Sequence, residues 1–436
     1  MRKRGLLALT PILVFLGVYL VTSIIIKDFY KVPVASAFLL ASIYAVLISK
    51  GPLRNRITIF SEGAGDSKVL LMVWIFILAG AFAQTAKDIG AIEATVNLTL
   101  RVIPGSMLFA GLFFTACFIS MSVGTSVGTI VALVPIATGI AQETGFSEAF
   151  MAAIIVGGAF FGDNLSFISD TTIAATKAMD CAMKDKFKAN IRIVAPAVLV
   201  VFVIYVVKGL GVDVSVDPGA AEPLKLLPYL LVLGLALAGM DVLLILSLGT
   251  VVNLLIGLVT GSLGWAGWLS SIGEGIGGMG SLIIVTLLAG GMMALIRAGG
   301  GLDWLVGALT RRLAPLGSAG QSSSLFTKRQ RRGAELSIAA LVSLANLCTA
   351  NNTIAIITVG GIAKDVSDRF GLDRRRVASI LDTFSCFVQG LIPYGAQLLM
   401  ASGLAGVGAA AIIRYLYYPF ALGLVALSAI FLTRRH

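Results

Sequence analysis

The chain has 436 residues, 58% of them apolar and only 13% charged, against roughly 25% charged in ordinary soluble domains. Its formal charge of +11 is divided among short basic clusters that separate long apolar runs. This pattern excludes a soluble enzyme, a nucleic-acid binder and a disordered chain, and predicts an all-α polytopic membrane protein with basic loops.

About 20 apolar residues span the hydrocarbon core as a helix. The first such run, 6–26, follows Met1-Arg2-Lys3-Arg4; it is too long for a signal-peptide core and has no small-residue cleavage site, so it reads as a span. Further spans are expected at 34–49, 69–86, 107–123, 191–207, 242–261, 282–296 and 411–432, with a weak one at 226–239. Four runs, 124–141, 149–176, 334–363 and 377–404, are apolar but interrupted by Gly, Asn, Ser, Thr and Asp. The expected total is about fourteen membrane segments.

Short motifs recur in chain order. Glu62-Gly63-Ala64-Gly65 is echoed by Glu274-Gly275-Ile276-Gly277, Leu78-Ala79-Gly80 by Leu288-Ala289-Gly290, and Gly139-Ile140-Ala141 by Gly361-Ile362-Ala363. The chain therefore divides into a first repeat at 1–208, an external linker at 209–224 and a second repeat at 225–436, each of about seven segments. A flexible cytoplasmic loop is expected at 317–333. Matching loops carry opposite charge bias. Lys50, Arg54, Arg56 and Lys68 face 261–274, which has no Lys or Arg; acidic 141–148 faces basic 364–376. With both termini cytoplasmic, only Lys27, Lys31, Lys87, Arg101, Lys208, Lys225 and Arg414 fall outside, which predicts two inverted-topology repeats in a cell (inner) membrane. Glu62 and Glu274 are expected as interfacial helix-start acids, Arg297 and Asp303 as an end-of-helix pair, and Tyr415, Tyr417 and Tyr418 as an interfacial belt.

Much chemistry is excluded. The four cysteines (Cys117, Cys181, Cys348, Cys386) are scattered, and the only histidine is His436. Zinc sites, Ser-His-Asp catalysis and, without a GxxxxGK[ST] motif, ATP-driven pumping by this chain are set aside; no enzyme activity is expected. Polar residues at membrane depth point to function. One cluster holds Thr125, Ser126 and Thr129; its counterpart holds Asn351, Asn352 and Thr353. A second pair is the run Gly162-Asp163-Asn164-Leu165-Ser166-Phe167-Ile168-Ser169-Asp170-Thr171-Thr172, and the stretch from Asp382-Thr383 through Gln389-Gly390 and Pro393 to Gln397. Gly and Pro in such runs break helices and free backbone carbonyls to hold ions, so broken helices or re-entrant hairpins are expected to meet at mid-membrane. No Lys or Arg interrupts these cores, so the carboxylates are expected to be protonated or to bind a cation. Asp163 and Asp382 are the Na+ candidates.

GDNLSFISDTT resembles the GDxLSPxSDTT signature of the NhaC-type sodium/proton antiporters, within the ion transporter superfamily, and 381–399 resembles that family's second-half segment. The resemblance implies an inverted-repeat secondary transporter exchanging Na+ or Li+ for H+, with Asp163, Ser166, Ser169, Asp170, Thr171 and Thr172 at the site. Asn164 stands where many relatives carry Lys, and Phe167 replaces Pro. The alternative is a Na+- or H+-coupled carrier of an amino acid or small carboxylate, held by Asn351, Asn352, Gln389 and Gln397. No cofactor is expected beyond Na+ and H+ as coupling ions, and no nucleic acid. The expected surroundings are the lipid bilayer, and a homodimer is one assembly open to such carriers.

Overall fold

The computed structural model describes residues 2–26, 34–166, 169–210, 212, 222–301, 303–304 and 327–432. The fold is all-α. In the first half the helices are α1 (Arg2–Ile26), α2 (Val34–Ile48), α3 (Leu53–Ala64), α4 (Ser67–Asp88), α5 (Ala91–Val102), α6 (Leu108–Val123), α7 (Ser126–Thr144), α8 (Glu148–Leu165), α9 (Asp170–Ala178) and α10 (Met183–Gly209). The second half holds α11 (Pro223–Leu237), α12 (Val242–Thr260), α13 (Trp265–Gly278), α14 (Gly280–Ala298), α15 (Lys328–Thr349), α16 (Asn352–Phe370), α17 (Arg374–Gln389), α18 (Ala396–Ala405), α19 (Ala409–Ile413) and α20 (Tyr417–Leu432). Among the described residues seven helical stretches are long and apolar enough to cross a membrane. Outward side chains such as Leu13, Leu199 and Val259 are exposed apolar residues, as a lipid-facing surface requires.

The order of elements repeats, and so do the contacts between halves. α3 packs on α14 as α13 packs on α4; α2 meets α14 as α12 meets α4; α7 meets α18 as α16 meets α9. The echoed glycines lie in these seams. A Cβ on Gly63 would come within 2.7 Å of the Gly290 carbonyl oxygen, and one on Gly290 within 2.8 Å of that of Gly63. Gly80 and Gly275 stand in the same relation, each carbonyl blocking a side chain on the other. Only glycine permits backbones to approach this closely.

Several expectations change. Residues 53–64 and 265–278 are helical, and Glu62 and Glu274 stand near the ends of α3 and α13, not at helix starts. The basic end of the expected 317–333 loop is the first turn of α15. There Thr327 and Gln330 form a reciprocal cap: Thr327 N–H donates to Gln330 Oε1 (2.9 Å) and Gln330 N–H to Thr327 Oγ1 (3.3 Å). Residues 317–326 of that loop, most of the 209–224 linker, Phe167 and His436 lie outside the described residues. Tyr418 is buried in the core, so the aromatic belt does not include it. Arg297 makes no ion pair with Asp303 among the described residues; it lines a cavity of about 530 Å³ with Glu62, Lys68 and Asn351.

Candidate functional site

Two breaks of one design build the site. α6 ends at Val123, Gly124 turns left-handed (φ 76°), Thr125 is extended (φ −136°) and α7 starts at Ser126. In the second half α15 ends at Thr349, Ala350 turns left-handed (φ 50°), Asn351 is extended (φ −147°) and α16 starts at Asn352. Each break presents a helix N-terminus, with unpaired N–H groups and the positive end of the helix dipole, inside the bundle.

Asp163, near the end of α8, meets the first of these N-termini. Ser126 N–H donates to Asp163 Oδ1 (3.2 Å) and Ser126 Oγ–H to Oδ2 (2.7 Å). The carboxylate is 5% exposed and has no Lys or Arg partner among the described residues. Gln397, at the start of α18, donates from Nε2 to Ser126 Oγ (3.1 Å), and Gln389 Nε2 donates to Gln397 Oε1 (2.9 Å) and to the Ala350 carbonyl (3.1 Å). One chain of hydrogen bonds thus runs from the second-half break to Asp163.

The motif after α8 folds back on it. The Asp163 carbonyl accepts from Ser169 Oγ (3.1 Å) and Thr171 Oγ1 (2.8 Å), whose hydroxyls lie 2.8 Å apart. These bonds replace the helical partner that this carbonyl loses where α8 stops. Asn164 is buried, its amide donating to the Phe160 carbonyl (2.7 Å).

A second cluster surrounds Asp382 and corrects the expectation of uncompensated carboxylates. Lys186 Nζ lies 2.9 Å from Asp382 Oδ2, with the two side chains 1% and 0% exposed. The same ammonium donates to the Asn164 carbonyl (2.8 Å) and Thr172 Oγ1 (2.7 Å). Asn190 Nδ2 donates to Asp382 Oδ2 (2.6 Å) and to the Asn164 carbonyl (2.8 Å). A further ion pair joins α17 to α15, where half-buried Arg376 donates from Nη2 to Oε2 of buried Glu335 (2.9 Å) and to the Ala429 carbonyl (2.9 Å).

The structure therefore unites Ser126, Asp163, Asn164, Ser169, Thr171, Thr172, Asp382, Gln389 and Gln397 in adjoining clusters. Ser166 is buried beside them. Other candidates serve their own helices: Thr125 offers its carbonyl to Thr129 Oγ1 (3.2 Å), Thr383 bonds the Ser379 carbonyl (2.7 Å), and Asn351 caps α16 through the Ile354 N–H (2.9 Å). Asn352 Oδ1 accepts from the Thr353 N–H (3.0 Å). Asp170 is exposed in the first turn of α9.

The sequence model of the Na+/H+ antiporter family matches residues 6–210 and 227–433, nearly the whole chain. The chain belongs to the Na+/H+ antiporter family. It is 24% identical to the malate-2H+/Na+-lactate antiporter of Bacillus subtilis, covering 97% of this chain and 95% of that protein. It is 22% identical to the Na+/H+ antiporter NhaC of the same organism, over 82% of this chain and 81% of the relative. Among solved structures it is similar to the Alcanivorax borkumensis YdaH transporter, at 15% identity and a TM-score of 0.44, covering 96% of this chain and 97% of that one.

Membership makes this a membrane transporter of the antiporter class. Lys186 and Asn190 are the members of this antiporter's polar core that the motifs do not announce. They sit four residues apart, on one face of α10, but inside a basic stretch whose charges read as loop charges.

Proposed function

We propose that the chain exchanges Na+ for H+ by alternating access, with Asp163 as the carboxylate that the two ions share. The observation that carries this reading is the setting of Asp163: buried, held by Ser126 donors at a helix N-terminus, and without a cationic partner among the described residues. A buried carboxylate held only by neutral donors is stable when it takes up a proton or a metal cation, so the two compete for one place. The Asp163 carboxylate and the adjoining Ser126 Oγ are hard oxygen donors of the kind Na+ favours. The reciprocal packing of the halves supports an inverted pair of repeats at 1–208 and 225–436, and the charge bias of the loops supports cytoplasmic termini in the cell membrane.

The test is reconstitution in liposomes with a trapped pH indicator and no organic solute. A Na+ jump outside should drive H+ out of the vesicles, and no H+ movement under any Na+ gradient overturns the reading. One observation favours a second reading, a Na+- or H+-coupled carrier of a small carboxylate. The cavity of about 530 Å³ has Lys68 and Arg297 in its wall and reaches Thr349, Ala350 and Asn351 at the second break. The full-length relative named for malate and lactate exchange points the same way. H+ movement that requires such a solute selects this alternative.

A further inference from the structure

Lys186 is buried to a degree that lysine tolerates only when its ammonium is fully satisfied. Its three N–H bonds are matched by three oxygens: the Asn164 carbonyl at 2.8 Å, Thr172 Oγ1 at 2.7 Å and Asp382 Oδ2 at 2.9 Å. Two belong to the GDNLSFISDTT segment and one to the second half, so the nitrogen marks the point where the halves converge. The same residues hold more oxygen than an ammonium can use. Asn164 Oδ1 and Asp382 Oδ1 are buried without a hydrogen-bond partner, and so is Oδ1 of the adjoining Asn190. A carboxylate, a main-chain carbonyl, a hydroxyl and spare amide oxygens form a hard donor set larger than three, which suits an alkali cation better than an ammonium. A cavity of about 730 Å³ reaches Thr383, the neighbour of Asp382, past Lys188 and Arg192.

We propose that Lys186 is a tethered cation: its ammonium fills a second cation site built on Asp382, Asn164 and Thr172, so that the transporter binds a single Na+, at Asp163. The proposal rests on the reading of Asp163 given above. Taking one partner from a buried ion pair leaves a bare charge that must find another cation. With the ammonium gone and the oxygens in place, Na+ is the cation of fitting chemistry.

The experiment is equilibrium binding of radioactive Na+ to the purified full-length chain. The wild type should bind one Na+ per chain and Lys186→Gln two, and Na+ should raise the Tm of Lys186→Gln more than that of the wild type. The double variant Lys186→Gln with Asp382→Asn, which removes both charges, should return to one. Two Na+ on the wild type overturns the proposal, as does one Na+ on folded Lys186→Gln, because Asp382 has then taken a proton instead. Failure of Lys186→Gln to fold even in high Na+ also overturns the proposal, because Na+ then does not take the place of the ammonium. A folded double variant that binds no Na+ overturns the Asp163 assignment instead, so the two failures are distinct.

Discussion

Gln397 donates its amide to the Ser126 hydroxyl at 3.1 Å, joining residues 271 positions apart, and that hydroxyl donates in turn to Asp163 at 2.7 Å. Ser126 therefore links the two halves at the carboxylate. When Na+ enters, the hydroxyl can turn its lone pair to the ion while Gln397 continues to donate. Ser126→Ala removes that ligand, at a cost of about 1 kcal/mol, so half-saturating Na+ should rise five- to tenfold with the maximal exchange rate largely kept. Initial rates of H+ movement against Na+ concentration measure this, and an unchanged half-saturation point refutes it.

On the proposed reading, Asp163→Asn keeps the shape and removes the charge that both ions share. Na+-driven H+ movement should fall to the level of empty liposomes, while Tm stays within a few degrees because the amide oxygen still accepts from the Ser126 N–H and the Ser126 hydroxyl can accept from the amide NH2. Wild-type exchange with unchanged pH dependence in this variant would show that coupling lies elsewhere.

Asp170 gives the contrast within the same motif. It is exposed at the start of α9, where a carboxylate gains only a surface helix-dipole contribution of about 0.3–1 kcal/mol. Asp170→Asn should keep more than a third of the wild-type exchange rate at saturating Na+. Loss as complete as that of Asp163→Asn would place Asp170 in the ion path.

Outside the membrane segments, Asp180 in the turn before α10 bonds Lys364 of α16 and has Arg374 at 3.8 Å. The Lys364 hydrogen bond and charge, with help from Arg374, hold the Asp180 carboxyl below the usual carboxylate range. A lowered value in the folded state means that the contribution to stability is complete above the unfolded value of about 3.9 and is lost as pH falls through the folded value. Asp180→Asn should therefore melt slightly below the wild type at pH 7 and low salt, with the gap closing on acidification and in high salt. Fluorescence-detected melting at pH 7 and pH 3 checks it, and a gap that widens in acid contradicts it.

At the left-handed turn the first break has Gly124 and the second Ala350. Gly124→Ala imposes a left-handed alanine and should lower stability by about 1–2 kcal/mol. Ala350→Gly relieves that strain but adds unfolded-state freedom, so it should be close to neutral. Equal losses in the two variants would mean that the turns are not equivalent.

The spans and the interrupted helices were legible because each leaves a pattern: apolar length, and Gly and Asn inside apolar runs. Asp163, with Ser126, was legible for the same reason, since a carboxylate without nearby basic residues in an apolar run stands out. Lys186 was not. It lies within Lys184-Asp185-Lys186-Phe187-Lys188, where Lys184 and Lys188 are solvent-exposed, and one-dimensional spacing cannot tell which lysine turns inward. Nor could spacing show that Thr129, Thr383 and Asn351 spend their polar groups on their own helices, because caps and i−4 bonds use the same residue types as ion ligands.

In the seams at Gly63 with Gly290 and at Gly80 with Gly275 peptide backbones meet directly, with Ala294, Val69 and Met279 packed beside them. Where backbone meets backbone there is no rotamer through which a new side chain could escape, so a methyl group at any of these four glycines has to push whole helices apart. The two seams also mirror each other across the molecule. A longer side chain in either seam therefore separates α3 from α14 or α4 from α13, a rigid-body change that local repacking cannot absorb.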